Sequence, residues 1–266
     1  EYYHSAHVLG RGGAGISVVE NEDAIFYNPS LLAEGDGIYK KIVLASPTVE
    51  LSESTRDIAV KLGLQNANTL DTLSGVIGAP QHLGIYNYTG VILRRAALGA
   101  FISSQNDILV YKSEDNGGLE SVLVGSYQKA GLSFSLAEKF WDDRLYFGAT
   151  VKYFQMGEAL VDLSVASINE TENAEISAAD FLKTGTATSV DLAFTYSPKT
   201  RSDWKFSLVA TDVGDTQIIK DQGEVGQPAP YKQMINAGIA FQPGTRMSKF
   251  KLLIDYYDLE SKLYTN

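Results

Sequence analysis

From about residue 84 onward, apolar and polar side chains alternate with a period of two. Leu145, Phe147, Ala149, Val151 and Tyr153 fall on one face, and Tyr146, Gly148, Thr150 and Lys152 on the other. Val190, Leu192, Phe194 and Tyr196 alternate with Asp191, Ala193 and Thr195, and Ile235, Ala237, Ile239 and Phe241 with Asn236, Gly238, Ala240 and Gln242. Phe250, Leu252, Ile254 and Tyr256 alternate with Lys249, Lys251 and Asp255, with Leu253 out of phase. Softer alternation occupies 40–51, 85–94, 96–104, 106–113, 118–128, 130–137, 158–166 and 204–212. This period predicts strands with two unlike faces. Turn signals separate them, as in Asp115-Asn116-Gly117-Gly118, Trp141-Asp142-Asp143-Arg144 and Gln242-Pro243-Gly244-Thr245. About eleven or twelve strands follow from this reading.

The runs are longer than the strands of an ordinary globular sheet. Opposite Ala130, Leu132, Phe134 and Leu136 stand Gly131, Ser133 and Ser135, so the second face is small and neutral rather than charged. Small residues suit a crowded interior, with the apolar set facing lipid. The fold expected is therefore all-β, an antiparallel transmembrane β-barrel. The tapered interior of a soluble barrel, or a soluble ligand-binding sandwich, shows the same alternation and stays open as an alternative. Two segments break the rhythm. Residues 54–77 carry Ile58, Leu62, Leu70, Leu73 and Ile77 at helical spacing, and 177–183 offer Ser177 as a cap before Phe181 and Leu182. Both read as insertions in long loops. No internal repeat of fixed period is visible.

Composition narrows the partners. Lys plus Arg total 22 against 32 Asp plus Glu, a net charge of -10, which argues against nucleic acid. There is no cysteine and hence no disulfide framework or thiolate site. No run of eighteen apolar residues is present, so no transmembrane helix is expected, but a barrel needs only strands of roughly ten residues. Tyr39, Tyr86, Tyr88, Trp141, Tyr153, Tyr196, Trp204, Tyr231, Tyr256 and Tyr257 lie near strand ends, where aromatic rings of membrane barrels meet the headgroups.

Candidate chemistry is sparse. Gly10, Gly12 and Gly15 spell G-x-G-x-x-G, the spacing of a dinucleotide loop. That loop requires a buried strand before it and a helix after it. Nine residues, EYYHSAHVL, precede Gly10, and Asn28-Pro29 would end any helix after Gly15 early. The glycines are read instead as devices for tight turns and close backbone packing. His4 and His7 are read as exposed near-terminal histidines, His82 as isolated, and the carboxylates as solvated turn residues. No nucleophile–base set and no metal-ligand set emerges, so neither catalysis nor a cofactor is expected.

One stretch carries a more specific signal. Gly10-Arg11-Gly12-Gly13-Ala14-Gly15-Ile16-Ser17 followed by Asp23-Ala24-Ile25-Phe26-Tyr27-Asn28-Pro29-Ser30-Leu31-Leu32-Ala33 resembles the N-terminal signature of the FadL-like superfamily of bacterial outer-membrane barrels, with Ser30 in place of the usual Ala. That group includes long-chain fatty acid transporters, PorV-type proteins of secretion systems and TraF-like proteins. Ala210-Thr211-Asp212-Val213-Gly214-Asp215-Thr216, Ile235-Asn236-Ala237-Gly238-Ile239-Ala240 and Leu253-Ile254-Asp255-Tyr256-Tyr257-Asp258-Leu259 are similar to late strands of the family. The resemblance implies a fourteen-stranded barrel in the outer membrane of a Gram-negative bacterium. Residues 1–39 would form a hatch inside a barrel built from 40–266. Gly10, Arg11, Gly12, Gly13, Gly15, Phe26, Tyr27, Asn28, Pro29 and Leu31 would be the hatch and ligand residues. Two functions follow from it: transport or binding of hydrophobic small molecules, or service as a non-transporting membrane partner or scaffold of a secretion or transfer machine. Outer-membrane lipid or lipopolysaccharide would surround the barrel, and another outer-membrane or periplasmic protein would be the partner in the second case. The strand count falls short of fourteen, and the missing C-terminal strands are expected to be absent or supplied by another chain.

Overall fold

A computed structural model describes residues 3–34, 39–55, 78–112, 120–164, 181–198, 202–220, 226, 228–243 and 251–259. The expected all-β, antiparallel class is what it shows. The strands are β1 (Tyr39–Val43), β2 (Thr48–Leu51), β3 (Gln81–Leu93), β4 (Ala96–Lys112), β5 (Glu120–Phe140), β6 (Leu145–Ser164), β7 (Lys183–Tyr196), β8 (Ser202–Thr211), β9 (Ile218–Lys220), β10 (Met234–Pro243) and β11 (Leu252–Tyr256). They form one sheet in the order β1-β3-β4-β5-β6-β7-β8-β10-β11, with β2 also on β3 and β9 also on β7. Ahead of the sheet lie α1 (Ala6–Leu9), α2 (Asn21–Tyr27) and a 3-10 helix (Pro29–Ala33).

Several expected strands fuse. The runs at 96–104 and 106–113 are one strand, as are 118–128 with 130–137 and 145–154 with 158–166, giving lengths of 17, 21 and 20 residues. The polar breaks between the runs lie side by side. Gln105 faces Tyr127 and Asn106 faces Ser126, while Tyr127 faces Glu158 and Gln128 faces Gly157. The Ser126 hydroxyl donates to Asn106 Oδ1 at 2.9 Å. A polar belt thus crosses three strands without interrupting their ladders, because ladder bonds come from the backbone whatever the side chain. The single run at 40–51 does the reverse and splits at Pro47, which has no N–H to donate; the Ser46 amide there bonds both Tyr88 O and Asn87 Oδ1 at 3.0 Å. Most of the helix expected at 54–77 lies outside the described residues, as does 177–180. The described end of that second segment, 181–183, is not helical and runs into β7.

The two faces of the sheet differ as the alternation requires. Tyr88, Phe101, Ser103, Ser133, Ser135, Thr150, Lys152, Phe154, Asp191, Thr195 and Ser207 are buried on the face that the N-terminal segment covers. Leu98, Ile102, Leu132, Phe134, Leu136, Phe147, Val151, Tyr153, Phe194, Leu208 and Ile254 are exposed on the other. A water-facing sheet would present polar residues on its open face. This one presents a row of large hydrophobics there, and its covered face mixes buried aromatics such as Tyr88, Phe101 and Phe154 with small, hydroxyl and charged residues.

The sheet is curled. Eight inter-strand gaps separate β1 from β11 along the path, roughly 38 Å in a flat sheet. Yet Lys41 on β1 holds Glu22 at 2.7 Å, while Asp255 on β11 accepts from the Gly15 and Ile16 amides at 2.5 and 2.9 Å. Gly15 and Glu22 are joined by a stretch that includes a turn, closed by Val18 N–H to Gly15 O at 2.8 Å. Such a stretch reaches well under the roughly 25 Å of seven extended residues. The first and last strands therefore approach each other around the segment. Among the described residues no ladder joins β11 to β1 or β2, and the segment is what bridges them. No helix among the described residues is long and apolar enough to cross a membrane.

Candidate functional site: the N-terminal segment and its anchors

The segment begins with α1, capped by Ser5, whose hydroxyl accepts from the His7 and Val8 amides. Gly10 ends this turn, its N–H bonded to Ala6 O at 2.9 Å. Gly12 and Gly13 follow with φ of +72° and +84°, the left-handed region in which glycine carries no steric penalty. Gly15 packs under Val8 and Val19. The glycine run therefore does gather backbone N–H groups around an anion, but the anion is the carboxylate of Asp255. The Tyr257 hydroxyl adds a bond to Gly13 O at 2.8 Å. A loop with nucleotide-binding spacing serves here as a clasp on the last strand.

Asn28 is the hub of the second half. It is fully buried, and its amide donates to Ile16 O at 2.7 Å and to Thr195 Oγ1 at 3.0 Å. Its Oδ1 accepts from the Ser30 amide at 3.2 Å and the Ser30 hydroxyl at 2.6 Å, which caps the 3-10 helix. Pro29 occupies the first turn of that helix, where a missing N–H costs nothing. Ser30 and Thr195 bond at 2.8 Å, Thr195 passes on to Ser207 at 2.8 Å, and Thr150 donates to Ile25 O at 3.1 Å. Opposite this turn stands Gly148 on β6. A Cβ there would overlap the Pro29 and Ser30 backbone, so the segment rests directly on the strand. At Gly238 on β10 it is the side chains of Ile16, Ser17 and Asp255 that come close.

Phe26 stacks on Tyr3 with centroids 5.0 Å apart and meets Tyr88 and Phe101 edge-on at 5.7 and 5.6 Å. The Tyr27 hydroxyl donates to Tyr3 O and accepts from the Ser5 amide, both at 3.3 Å. Leu31 is buried. Thus Gly15, Phe26, Tyr27, Asn28, Pro29 and Leu31 are brought together against the sheet, Gly10, Gly12 and Gly13 shape the loop before them, and Arg11 is exposed.

Ionic anchors complete the contact. Lys41 and Glu22 pair at 2.7 Å, with Glu22 buried, and Lys205 on β8 pairs with Glu34. Asp23 is buried beside Glu22, and His7 lies 3.4 Å from its carboxylate. Burial pushes the Asp23 carboxyl above the usual carboxylate range; a hydrogen bond from Ser5 opposes that, Glu22 adds to it, and His7 opposes it. Because the folded form binds this proton more tightly than the unfolded chain, stability rises as pH falls through the window above about pH 3.9. Above that window the charged, buried Asp23 costs stability. Asp23→Asn is therefore expected to raise the thermal midpoint at neutral pH and to flatten its acid-side dependence, as read by melting curves across pH.

The covered face also holds charges that the sequence reading passed over. Lys152 on β6 and Asp191 on β7, each 1% exposed, pair at 2.7 Å. Asp191 Oδ1 accepts from the Asp212 amide at 3.0 Å, and Asp212 Oδ1 accepts from Ser189 at 2.6 Å and Thr216 at 3.0 Å. Their signal in the sequence was their place on the small, polar face of otherwise apolar strands. Two of the histidines need correcting, whereas His7 is exposed as expected: His4 is mostly buried against Glu50, and His82 touches both Glu50 and Asp107. Contacts between residues dozens of positions apart leave no local pattern to read.

Two cavities flank these anchors. One of about 250 Å³, toward the long connections, is lined by Gln105, Tyr127, Lys129, Met156, Glu158 and Tyr231, with the Lys129 ammonium 4.5 Å over the Tyr231 ring. The other, about 410 Å³, lies toward the short turns between Glu20, Asn21, Leu31, Glu34, Lys205 and Lys251. Arg11 lines neither. Among the described residues no group of three or more His, Asp or Glu is placed to hold a metal ion.

Residues 7–247 match the family described as "F plasmid transfer operon, TraF, protein". The chain belongs to that family. No curated protein and no solved structure matches it. The matched region takes in the glycine loop, the Asn28 hub and the anchors on β1 through β10, while Tyr3, His4, Ser5 and the clasp residues Asp255 and Tyr257 lie outside it.

Proposed function

We propose that this TraF-family chain is an outer-membrane β-barrel of the FadL-like type, sealed by its own N-terminal segment, and that it serves as a membrane-embedded partner in a plasmid-transfer or related surface assembly. The observation that carries the reading is the open face of the sheet, apolar where a water-facing sheet would be polar. On β5 the exposed set runs from Ala130 through Leu132 and Phe134 to Leu136, roughly 20 Å of strand. Membrane barrels show an outward apolar band of about that height. At the short-turn end, Trp204 stacks with Phe206 at 6.0 Å and lies 4.6 Å from Phe241, while Arg144 sits over the Trp141 ring. Such an aromatic and basic rim suits a headgroup region with its anionic lipid.

The interior favours a sealed body over an open pore. The segment is pinned by hydrogen bonds, ion pairs and backbone packing to strands from one end of the sheet to the other. Transport of hydrophobic molecules is a second reading, supported by the Tyr127, Met156 and Tyr231 lining of the smaller cavity. At about 250 Å³ that cavity is below the usual range for ligand pockets, roughly 300–1,000 Å³. The partner reading predicts extraction by detergent and not by alkali, a heat-modifiable gel shift, and a stoichiometric companion protein on mild solubilisation. Extraction without detergent overturns the membrane reading. Saturable binding of fatty acids by a protein that purifies alone would favour transport.

A further inference from the structure

We propose that the larger cavity, at the short-turn end between the N-terminal segment and the sheet, is a binding site for a short peptide with free termini, its ammonium held by Glu20 and its carboxylate by Lys251. The cavity has two walls of opposite charge. The segment supplies Glu20 and Glu34, and the sheet side supplies Lys205 from β8 and Lys251 from the position just before β11. At one end the walls already touch, where Lys205 pairs with Glu34. At the other they do not. Glu20 and Lys251 both line the cavity, yet among the described residues neither side chain has a hydrogen-bond or ion-pair partner. Glu20 stands at the N-cap position of α2 without making a side-chain capping bond. The walls thus carry two matching ion pairs, one closed and one held open.

The open pair sets the chemistry of the occupant. Two ammonium groups and two carboxylates leave the lining with no net charge. A bare anion would meet Lys251 but leave Glu20 unpaired and be repelled by both carboxylates, and a bare cation has the converse defect. A molecule carrying one ammonium and one carboxylate satisfies both walls, through charge-assisted hydrogen bonds that are stronger than neutral ones. The cavity also presents the primary amides of Asn21 and Gln242, which donate and accept as the peptide bonds of such a molecule require. Val18 and Leu31, both buried, add apolar lining. At about 410 Å³ the cavity falls inside the range usual for small-molecule pockets, roughly 300–1,000 Å³. An occupant held this way joins the segment to the β10–β11 pair alongside the Asp255 clasp, so occupancy tightens the segment's hold on the last strand.

The site depends on packing of the segment against β8 and β10 and not on the membrane reading, so the two fail separately. Titration of the full purified chain in detergent micelles with triglycine, followed by backbone amide NMR shifts, should show saturable binding with the changes concentrated at Glu20, Asn21, Gln242 and Lys251. N-acetyltriglycine and triglycine amide, each lacking one terminal charge, should bind about fivefold more weakly, the scale of one solvent-exposed ion pair. Glu20→Gln should weaken triglycine by a similar factor and leave N-acetyltriglycine unchanged, whereas Lys251→Gln should weaken triglycine and leave the amide unchanged. Both residues are exposed, so neither substitution threatens the fold. Arg11→Gln, exposed and outside the cavity, should bind triglycine as the parent does. No saturation by about 10 mM, equal binding of the capped peptides, or a triglycine affinity unchanged in Glu20→Gln or Lys251→Gln overturns the proposal.

Discussion

Lys152→Met is expected to destabilise the protein by about 3–5 kcal/mol, the usual cost of removing one partner from a buried ion pair. Lys152 and Asp191 are each 1% exposed, and Asp191 is tied to Asp212 through the latter's amide. Without the ammonium, two carboxylates face each other across β7 and the connection after β8 with their main compensating charge gone. The bonds from Ser189 and Thr216 to Asp212 would hold them close rather than let them separate. The double variant Lys152→Met with Asp191→Leu should recover most of the loss, because a buried pair is worth little against an apolar pair of similar volume. Denaturant unfolding of both variants and of Asp191→Leu alone gives the coupling directly. A Lys152→Met protein within about 1 kcal/mol of the parent would show that the pair contributes no more than an exposed one.

Gly148→Ala is expected to lift the Asn28 turn off the sheet. The added methyl meets backbone atoms of Pro29 and Ser30, which cannot rotate aside as a side chain can. Overpacking usually costs about 1–3 kcal/mol, and a backbone neighbour puts this site at or above the top of that range. Retreat of the turn would also undo the bonds of Asn28 and Ser30 to Thr195, each broken buried bond costing a further ~1–3 kcal/mol. The prediction is faster proteolysis within residues 10–34 with the strands still intact. Alanine at Gly125, where the nearest atom would be an ordinary 3.4 Å away, is the control and should behave as the parent does.

Alternation along the strands made the sheet legible. The pattern Leu145 to Tyr153 against Tyr146 to Lys152 placed each residue on its correct face, since the side-chain period of a strand is fixed by covalent geometry. Strand ends were less legible. The runs 96–104 and 106–113 read as two strands with a break at Gln105, but that break lies in the middle of β4, where β5 and β6 are polar at the same height. The segment was partly legible: Asn28-Pro29 marked the end of α2 and the start of the next turn. What Asn28 holds was not, because Thr195 lies 167 residues away and nothing local marks it. Asp255 is the clearest case. It stood in the sequence as one polar residue of an alternating strand, and the glycines stood as a motif lacking its phosphate. Only the curl of the sheet brings the two together.

In the proposed barrel the apolar face of the sheet meets lipid while the N-terminal segment fills the other side. Because the chain has no cysteine, single cysteines can be placed along β5 from residue 130 to 136 and spin-labelled in the full chain reconstituted into bilayers. Strict alternation is expected, with labels at 130, 132, 134 and 136 open to oxygen dissolved in lipid and labels at 131, 133 and 135 shielded from it. Equal access along the strand, or labels at 132, 134 and 136 reached instead by a water-soluble relaxation agent, would contradict it.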